Sequence, residues 1–327
     1  MSFKVLISVA SAYKPYAGIM RENLESAGME VIQSSHDTGI PKKELLVIIK
    51  DFDAMIVGRH DKIDSDVIMA GKKLKILAEF GVGTDNIDVL AATKAGIVVA
   101  NTPGANTNSV AELAVCLMIA VARRVIESSN FIKSGSIYPQ VGPELENKIV
   151  GIIGLGNVGK SVATRLSGFG MKIIVNDIIQ YPEWEHWFPI KYVEKEYIYK
   201  NADFITIHTP LTELTKNMIG ERELKTMKKS AILINTARGR IVNEEALDKA
   251  LSQGWIFGAG FDVYSIEPPV GIHMIKYINF LGTTHIGACT YGAIQRMGEM
   301  ASINVIRVLN GEKPINAINP ETTKNLM

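Results

Sequence analysis

Short β-branched runs alternate with amphipathic stretches along most of the chain, and this alternation restricts the fold to α/β architectures. Strands that are separated by helices usually join as a parallel sheet, because each helix crosses back over the sheet to start the next strand. The N-terminal third is therefore expected to form a parallel sheet. Its strands are predicted at Lys4–Ser8, Glu30–Gln33, Ala54–Val57, Lys75–Ala78 and Ile97–Ala100.

The alternation restarts at Lys148, after an almost wholly apolar helix that is predicted at Asn108–Arg124. Six further strands in two groups are typical of a doubly wound sheet made of two mononucleotide-binding halves. The aromatic stretch Tyr181–Phe188 is interpreted as a loop with no assigned role. The six strands are predicted at Ile149–Ile153, Lys172–Asn176, Phe204–His208, Ala231–Asn235, Ile256–Phe261 and Ile278–Leu281.

The chain of 327 residues is long enough for two domains of the usual size. The breaker cluster Asn101-Thr102-Pro103-Gly104 follows the first series of strands. The tail after Gly287 contains one more predicted helix, Ala293–Leu309, and is too short to form a domain. We therefore expect a doubly wound domain at residues 103–287 inserted into a smaller α/β domain at residues 1–102 plus 288–327.

Composition excludes several classes of partner. The 35 basic and 34 acidic residues nearly balance and form no long run, so nothing predicts binding to nucleic acid or to an anionic membrane. The longest apolar run, Leu113–Ala122, is much shorter than the roughly 20 residues of a membrane-spanning helix. Cys116 and Cys289 form neither a metal-binding spacing nor a disulfide framework. We expect a cytoplasmic protein that binds small molecules.

A glycine-rich motif, GLGNVG at residues 154–159, follows a predicted strand and opens a predicted helix. In that context Gly154 permits a tight turn, Gly156 lets the backbone approach a pyrophosphate, and Gly159 lets helix and strand pack closely. The N–H groups of Asn157 and Val158 would bind the pyrophosphate at the positive end of the helix. The motif therefore predicts a dinucleotide site.

Asp177 follows the next strand, 18 residues after Gly159. An acidic side chain at this position can accept hydrogen bonds from the adenosine ribose hydroxyls. It would repel a 2′-phosphate, and no arginine follows closely, so NAD is preferred over NADP. The alternative is that Asp177 only caps the next turn.

Three polar segments follow strands of the second series, at the sheet edge where open α/β sheets bind ligands. They are Asn235–Arg240, Asp262–Pro268 and Thr283–Gly287. Taken singly, each of Arg238, Glu267 and His285 is as readily explained as an ion-paired, turn or structural residue. Their order and their spacings of 29 and 18 residues argue for a common site.

Six motifs in order make the chain similar to the D-isomer-specific 2-hydroxyacid dehydrogenases over nearly its whole length. The motifs are GVGTDNID (81–88), SVAE (109–112), GLGNVG, INTARG (234–239), DVYSIEP (262–268) and THIG (284–287). The resemblance implies reversible hydride transfer between a 2-hydroxy acid and NAD, without a metal. It also implies a Rossmann NAD-binding domain inserted into a flavodoxin-like substrate domain.

The resemblance also implies catalytic roles that fit the chemistry. His285 would be the acid/base, because a histidine of ordinary pKa, about 6.5, can serve both directions. Glu267 would orient its ring and favour the imidazolium. Arg238 would hold the substrate carboxylate through its planar fork.

Further binding residues are implied in the same way. The backbone N–H groups of Val82 and Gly83 would grip the substrate carboxylate, in a cleft between the domains that closes to exclude water. Asp262 would lie near the nicotinamide carboxamide. The remaining residues expected to line the cofactor are Thr209, Pro210, Thr236, Ala237 and Gly287.

The substrate is the least determined part of the resemblance. Arg59 and His60 lie in a loop that would face the distal end of the substrate, where they could bind a phosphate or a second carboxylate, or form a solvated turn. Thr284 stands where the family commonly has proline, and the loop Pro268–His273 is unusual. The preferred substrate is 3-phosphoglycerate, in a short form of D-3-phosphoglycerate dehydrogenase without a regulatory domain.

Other activities stay open. The main alternative is reduction of glyoxylate, of hydroxypyruvate, or of pyruvate to D-lactate. A phosphite dehydrogenase and a non-catalytic, NAD-sensing corepressor on the same fold are less favoured. The apolar helix predicted at Asn108–Arg124 suggests a homodimer.

Overall fold

The structure is a computed structural model that describes residues 2–10, 13 and 17–327. The chain folds into two compact units, Met1–Asn106 with Ala288–Met327, and Thr107–Gly287. We refer to them as the first and second unit. Assigning substrate binding to the first and cofactor binding to the second, with domain limits at 102 and 288, remains our proposal from the sequence.

The first unit contains a parallel five-stranded sheet in the order β2-β1-β3-β4-β5. This is the strand order of flavodoxin-like folds, and it places the switch point of the sheet between β1 and β3. The strands are β1 (Lys4–Ser8), β2 (Glu30–Gln33), β3 (Ala54–Val57), β4 (Ile76–Glu79) and β5 (Val98–Ala100).

Helices cover both faces of this sheet, because successive strand side chains point to opposite sides. Val5 and Ile7 belong to the core that includes Met20 and Met297, whereas Leu6 belongs to the core that includes Leu45. The helices are α1 (Gly18–Ser26), α2 (Lys42–Ile48), α3 (Ser65–Ala70), α4 (Val89–Lys94) and, after the second unit, α12 (Tyr291–Leu309), with 3-10 turns at Ile49–Asp51 and Pro320–Thr323.

The second unit contains a parallel seven-stranded sheet in the order β12-β11-β10-β9-β6-β7-β8. Its two halves start at β6 and β9, which are neighbours, as in a Rossmann sheet with one added strand at the edge. The predicted doubly wound plan is confirmed. The strands are β6 (Ile149–Ile153), β7 (Lys172–Asn176), β8 (Ile190–Tyr192), β9 (Phe204–Ile207), β10 (Ile232–Asn235), β11 (Gly258–Phe261) and β12 (Phe280–Gly282).

Two predictions for residues 181–192 were wrong. Tyr181–Phe188 is not a loop but contains a short helix, which begins with Pro182 in the first turn where proline is tolerated. It leads directly into β8, a strand absent from the predicted six. The rings of Trp184 and Phe188 stack with centroids 4.5 Å apart, and Lys160 Nζ lies 3.3 Å from the Tyr181 ring centroid.

The apolar helix of the second unit ends at Ala122, two residues before its predicted end. Arg124 adopts a left-handed φ of 49° and separates this helix from the next one. No helix in the described ranges is long and apolar enough to cross a membrane. The helices are α5 (Thr107–Ala122), α6 (Val125–Lys133), α7 (Asn157–Ser167), α8 (Pro182–Trp187), α9 (Lys195–Asn201), α10 (Glu221–Thr226) and α11 (Glu244–Ser252), with 3-10 turns at Gly239–Ile241 and His273–Lys276.

Candidate active site

The glycine motif forms the turn between β6 and α7. Gly154 has a φ of +98°, which other residues rarely adopt, and an added Cβ would lie 2.6 Å from the His208 carbonyl oxygen. A Cβ on Gly159 would overlap the Gly154 carbonyl oxygen. Both glycines are therefore required by the packing of the protein itself.

Gly156 differs, because a Cβ at this position would meet nothing within 4 Å. The open space lies at the start of α7, whose first turn has no side-chain cap. The N–H groups of Asn157 and Val158 have no partner within α7 because they lie in its first turn, and with the helix dipole they form an anion site of the kind that binds a pyrophosphate. The residues present therefore fit a dinucleotide.

Two buried hydroxyls in the described part of the chain also fit a bound cofactor. Thr209 Oγ1 and Thr236 Oγ1 have no hydrogen-bond partner, and a buried polar atom in that state is costly. Both follow adjacent parallel strands, β9 and β10, at their carboxyl ends. Pro210 beside the first is exposed, and Ala237 beside the second is half-buried. Their position agrees with the expected cofactor-lining role, which stays a prediction.

Asp177 is held close to the glycine turn. Its Oδ2 accepts a hydrogen bond from the Leu155 N–H at 2.5 Å, and its Oδ1 accepts one from the Ile179 N–H at 2.9 Å. The carboxylate thus caps a turn, as the alternative interpretation expected, while remaining half-buried at the end of β7. A carboxylate has further lone pairs, so the ribose role stays a prediction.

Glu267 and His285 are in direct contact. His285 Nδ1 lies 2.8 Å from Glu267 Oε2, and the two side chains are 31% and 26% exposed. Because an ionised carboxylate only accepts hydrogen bonds, the Nδ1 atom carries the proton. The other ring nitrogen, Nε2, can then exchange a proton with a substrate.

The backbone around His285 is fixed by Asp262, which is 1% exposed. The Asp262 carboxylate accepts hydrogen bonds from the N–H groups of Ile286 (2.7 Å) and Gly287 (2.8 Å) and from the Thr283 hydroxyl (2.6 Å). These bonds hold His285 with a left-handed φ of 57°, although Thr284 and not proline precedes it. Asp262 therefore positions the histidine loop, and its predicted contact with the nicotinamide stays a prediction.

The loop that carries Glu267 is fixed by Glu244, a residue that could not be predicted from the sequence. Glu244, at the start of α11, accepts hydrogen bonds from the Ser265 N–H at 2.6 Å and the Ser265 hydroxyl at 2.5 Å. The Tyr264 N–H donates to Glu267 Oε1 at 3.1 Å. A Cβ on Gly239 would overlap the Tyr264 backbone, so the INTARG and DVYSIEP segments pack directly on each other.

Arg238 follows β10, on the same sheet edge as Asp262 after β11 and His285 after β12. Its half-buried side chain donates from Nη1 to the Ala237 carbonyl at 2.7 Å. The Asn235 side chain fixes this loop by donating to the Arg238 carbonyl at 2.8 Å and accepting from the Ala237 N–H at 3.0 Å. The three predicted catalytic residues thus follow three neighbouring strands.

The turn at Val82 and Gly83 in the first unit has its carbonyls occupied. Gly81 O accepts from the Thr102 N–H at 2.8 Å and the Thr102 hydroxyl at 2.9 Å, and Val82 O accepts from Asn101 Nδ2 at 2.6 Å. For the N–H groups of Val82 and Gly83 we find no acceptor among the described residues. The turn is fixed with its donors available, as a carboxylate site requires.

Arg59 and His60 contact each other, with Arg59 Nε 3.1 Å from His60 Nε2. Arg59 is half-buried and His60 is exposed. Their loop is anchored by Asp61, which is 1% exposed, and burial raises the pKa of this carboxyl above its ordinary value. Their role toward a substrate stays a prediction.

His208 is a structural histidine of the second unit. Its Nε2 lies 2.9 Å from the Thr206 hydroxyl, and burial lowers its pKa to about 3, so the ring is neutral at physiological pH. Among residues 2–10, 13 and 17–327, no group of three or more His, Cys, Asp and Glu side chains could hold a metal ion.

The chain is similar to known proteins over nearly its whole length. A family model described as D-isomer specific 2-hydroxyacid dehydrogenase, NAD binding domain, matches residues 115–287. A glyoxylate reductase of Thermococcus litoralis is 40% identical over 324 residues, covering 94% of this chain and 98% of the relative. A solved structure of the TT0316 protein of Thermus thermophilus matches with a TM-score of 0.87 at 35% identity, covering 97% of this chain and 100% of its own.

A second solved structure, a glyoxylate reductase from Paecilomyes thermophila, matches with a TM-score of 0.86 at 29% identity, covering 98% of this chain and 100% of its own. The family match spans more than half of the chain, and the sequence relative spans nearly all of it. The predicted family, fold and cofactor are thereby confirmed. The chain belongs to the D-isomer specific 2-hydroxyacid dehydrogenase family and is an NAD-dependent oxidoreductase that acts on the hydroxyl or oxo group of 2-hydroxy acids.

Proposed function

We propose that the protein reduces glyoxylate to glycolate with NADH. The observation that supports the reaction is the contact between Glu267 and His285. The relatives support the substrate: curated proteins that are 37% to 42% identical over most of their length carry the name glyoxylate reductase. These relatives do not support 3-phosphoglycerate, the preferred substrate from the sequence, whereas glyoxylate was among the alternatives.

Bound NADH would supply the hydride that converts the carbonyl carbon into a carbinol carbon. His285 would donate the proton from Nε2 to the carbonyl oxygen as negative charge develops there. Glu267 accepts from Nδ1, keeps the ring oriented and stabilises the imidazolium that precedes the transfer. After the transfer His285 is neutral, and it regains a proton from solvent before the next turnover.

The carboxylate of the substrate would be bound by charge and by backbone donors. Arg238 offers a planar guanidinium for a bidentate contact. The N–H groups of Val82 and Gly83 remain proposed donors to a substrate carboxylate. Glyoxylate has only a hydrogen atom beyond its carbonyl carbon, so it requires no contact with Arg59 or His60.

The experiment that tests this proposal is NADH oxidation with glyoxylate, hydroxypyruvate, pyruvate and 3-phosphohydroxypyruvate, each with the wild type and the Arg59→Ala variant. We expect the highest kcat/KM with glyoxylate and little effect of Arg59→Ala on it. A highest kcat/KM with 3-phosphohydroxypyruvate that Arg59→Ala abolishes would favour 3-phosphoglycerate instead. Tight NADH binding without turnover of any oxo acid would favour the NAD-sensing corepressor. If the protein then reduces NAD with phosphite, a phosphite dehydrogenase would be favoured instead.

We also infer a homodimer that forms through the α5–α6 region of the second unit. A groove of about 610 Å³ is lined there by Ile126, Phe131 and Ile278, among others. Exposed apolar side chains grouped on one surface often mark an interaction site. Large hydrophobic side chains are also exposed, by 47% or more, along residues 125–141: Val125, Ile126, Ile132, Ile137, Tyr138 and Val141.

Cys116 and Cys289 form no disulfide bond in the described part of the chain. This fits a protein of the reducing cytoplasm, where we propose that the enzyme works.

A further inference from the structure

Asn86 lies between two loops of the first unit. Its Nδ2 atom is within hydrogen-bond distance of three oxygens: the Gly58 carbonyl at 3.3 Å, the Asp61 carbonyl at 3.2 Å and Glu79 Oε2 at 3.2 Å. Two of these oxygens belong to the loop that carries Arg59 and His60. The third belongs to the last residue of β4, just before the turn that contains Val82 and Gly83.

The loop that carries Arg59 and His60 is rigidly anchored on its inner side. The Asp61 carboxylate accepts hydrogen bonds from the Ser8 hydroxyl, the Ile40 N–H and the Gly58 N–H, all at 2.9 Å. A Cβ on Gly58 would overlap the Ser8 carbonyl oxygen. Asp61 therefore holds this loop through its N–H groups, whereas the Gly58 and Asp61 carbonyls face Asn86.

The turn at Val82 and Gly83 is attached to the same structure through Glu79 and the main chain. Glu79 is 1% exposed, so its carboxylate must be hydrogen-bonded in place. The Ile63 N–H donates to the Asn86 carbonyl at 2.8 Å, and the Asp88 N–H donates back to the Ile63 carbonyl at 2.8 Å. The two loops thus pair through their backbones, and the Asn86 side chain links them on the side of the turn.

We propose that Asn86 is a positioning residue that holds the turn at Val82 and Gly83 in register with the Arg59–His60 loop. The inference rests on the proposed function, which assigns the turn at Val82 and Gly83 to the substrate carboxylate. Removing the amide leaves Glu79 and two carbonyls without this donor, so both loops can shift. Substrate binding is weakened, whereas His285 and the cofactor site, which lie in the second unit, keep their own contacts.

The test compares Asn86→Ala and Asn86→Asp with Asn23→Ala in the full chain. Asn23 is the matched control, because its amide also donates within the first unit, to the Ser302 hydroxyl at 3.0 Å. We expect KM for glyoxylate to rise about tenfold in Asn86→Ala, because a loosened turn binds the substrate carboxylate more weakly and one hydrogen bond contributes a factor of about that size. The rise is larger in Asn86→Asp, where an oxygen would face three oxygens. The kcat value and the NADH dissociation constant stay at the wild-type level, and Asn23→Ala keeps the wild-type KM.

A second readout does not depend on turnover. Amide hydrogen exchange of residues 58–63 and 81–88 should accelerate together in Asn86→Ala and remain slow in Asn23→Ala. The role of Asn86 is overturned if the wild type reduces glyoxylate and Asn86→Ala does so with the same KM. It is also overturned if exchange accelerates in only one of the two segments. If the wild type reduces no oxo acid, the proposed function fails, and the exchange measurement alone decides whether Asn86 couples the loops.

Discussion

The pairing of Glu267 with His285 leaves only Nε2 of the histidine to exchange a proton with a substrate, because Nδ1 is hydrogen-bonded to Glu267 Oε2 at 2.8 Å. In Glu267→Gln the ring loses an anionic partner, and the amide can donate as well as accept, so the wrong tautomer becomes accessible. We expect kcat for glyoxylate reduction to fall by roughly 10²- to 10⁴-fold, the range of general acid catalysis. The NADH dissociation constant should not change. Stopped-flow NADH oxidation checks this, and a kcat within about twofold of wild type would exclude the assigned pair.

His208 predicts a pH dependence of stability. Its pKa is about 3 in the folded protein and near 6.5 when unfolded, so the unfolded state binds the proton more tightly. Its stabilising effect is complete above pH 6.5 and is lost as the pH falls from there toward 3. Urea unfolding at a series of pH values between 7.5 and 5 should therefore show a falling midpoint.

The control for this effect is His208→Gln, which cannot titrate. Asp61 acts in the opposite direction. Its pKa is raised in the folded protein, so protonation of this carboxyl as the pH falls increases the free energy of unfolding. The variant keeps Asp61 and removes only the histidine contribution, so its midpoint should fall less steeply. Equal slopes for wild type and His208→Gln would contradict the assignment.

At this scale the sequence predicted the residues that lie in linear motifs. Arg238, Glu267 and His285 were selected by type and spacing, and the structure places them after adjacent strands. Glu244 could not be selected, because its partner Ser265 lies 21 positions away and no local pattern joins them. The same holds for the contact between Asn86 and Glu79, which depends on how two loops fold together.

The turn between β6 and α7 separates a glycine needed for folding from one needed for the ligand. A Cβ on Gly159 would overlap the Gly154 carbonyl, whereas a Cβ on Gly156 meets nothing within 4 Å. We expect Gly159→Ala to lower the thermal unfolding midpoint strongly and Gly156→Ala to leave it nearly unchanged. Gly156→Ala should instead weaken NADH binding about tenfold or more, since the methyl group would occupy the space left for the pyrophosphate.

Differential scanning calorimetry and NADH titration measure the two effects. A Gly156→Ala variant that binds NADH as tightly as wild type would show that the open space is not the pyrophosphate site. A Gly159→Ala variant as stable as wild type would show that the turn tolerates a side chain. The pair is matched, because each adds one methyl group to the same six-residue motif.

Elements with strong periodicity were predicted well, and short ones were not. The order of strands and helices follows from the alternation of apolar and amphipathic runs. The strand β8 has three residues and follows the aromatic helix α8, so neither shows a repeating pattern. The end of α5 was missed because Arg124 leaves the helix through a left-handed backbone, which arginine adopts only when tertiary contacts impose it.

The proposed homodimer makes a prediction for the whole molecule. Ile137 and Val141 are 87% and 85% exposed, and a dimer would cover them together with the groove beside α6. We expect the wild type to sediment as a dimer and the Ile137→Asp, Val141→Asp double variant as a monomer. Ile178→Asp is the matched control, since Ile178 is 94% exposed but lies outside this surface. A wild type that sediments as a monomer at micromolar concentration would contradict the dimer.

The substrate is where the sequence was least informative. The residue types of a basic pair such as Arg59 and His60 do not show whether the pair binds a phosphate, binds a carboxylate or forms a solvated turn. In the structure Arg59 Nε lies 3.1 Å from His60 Nε2, and the glyoxylate reductases among the relatives direct the proposal to a substrate without a distal group. Fold and chemistry are general to the family, whereas substrate choice depends on a few loop side chains.

Direct hydride transfer to glyoxylate is tested most directly by following the transferred atom. Glyoxylate is incubated with the enzyme and NADH that carries deuterium at C4 on one face or on the other, and glycolate is analysed by mass spectrometry. We expect one deuterium at C2 of glycolate from one of the two labelled forms, and none when His285→Ala replaces the wild type over the same time. Glycolate without deuterium from both forms, or no glycolate at all, would contradict direct hydride transfer to this substrate.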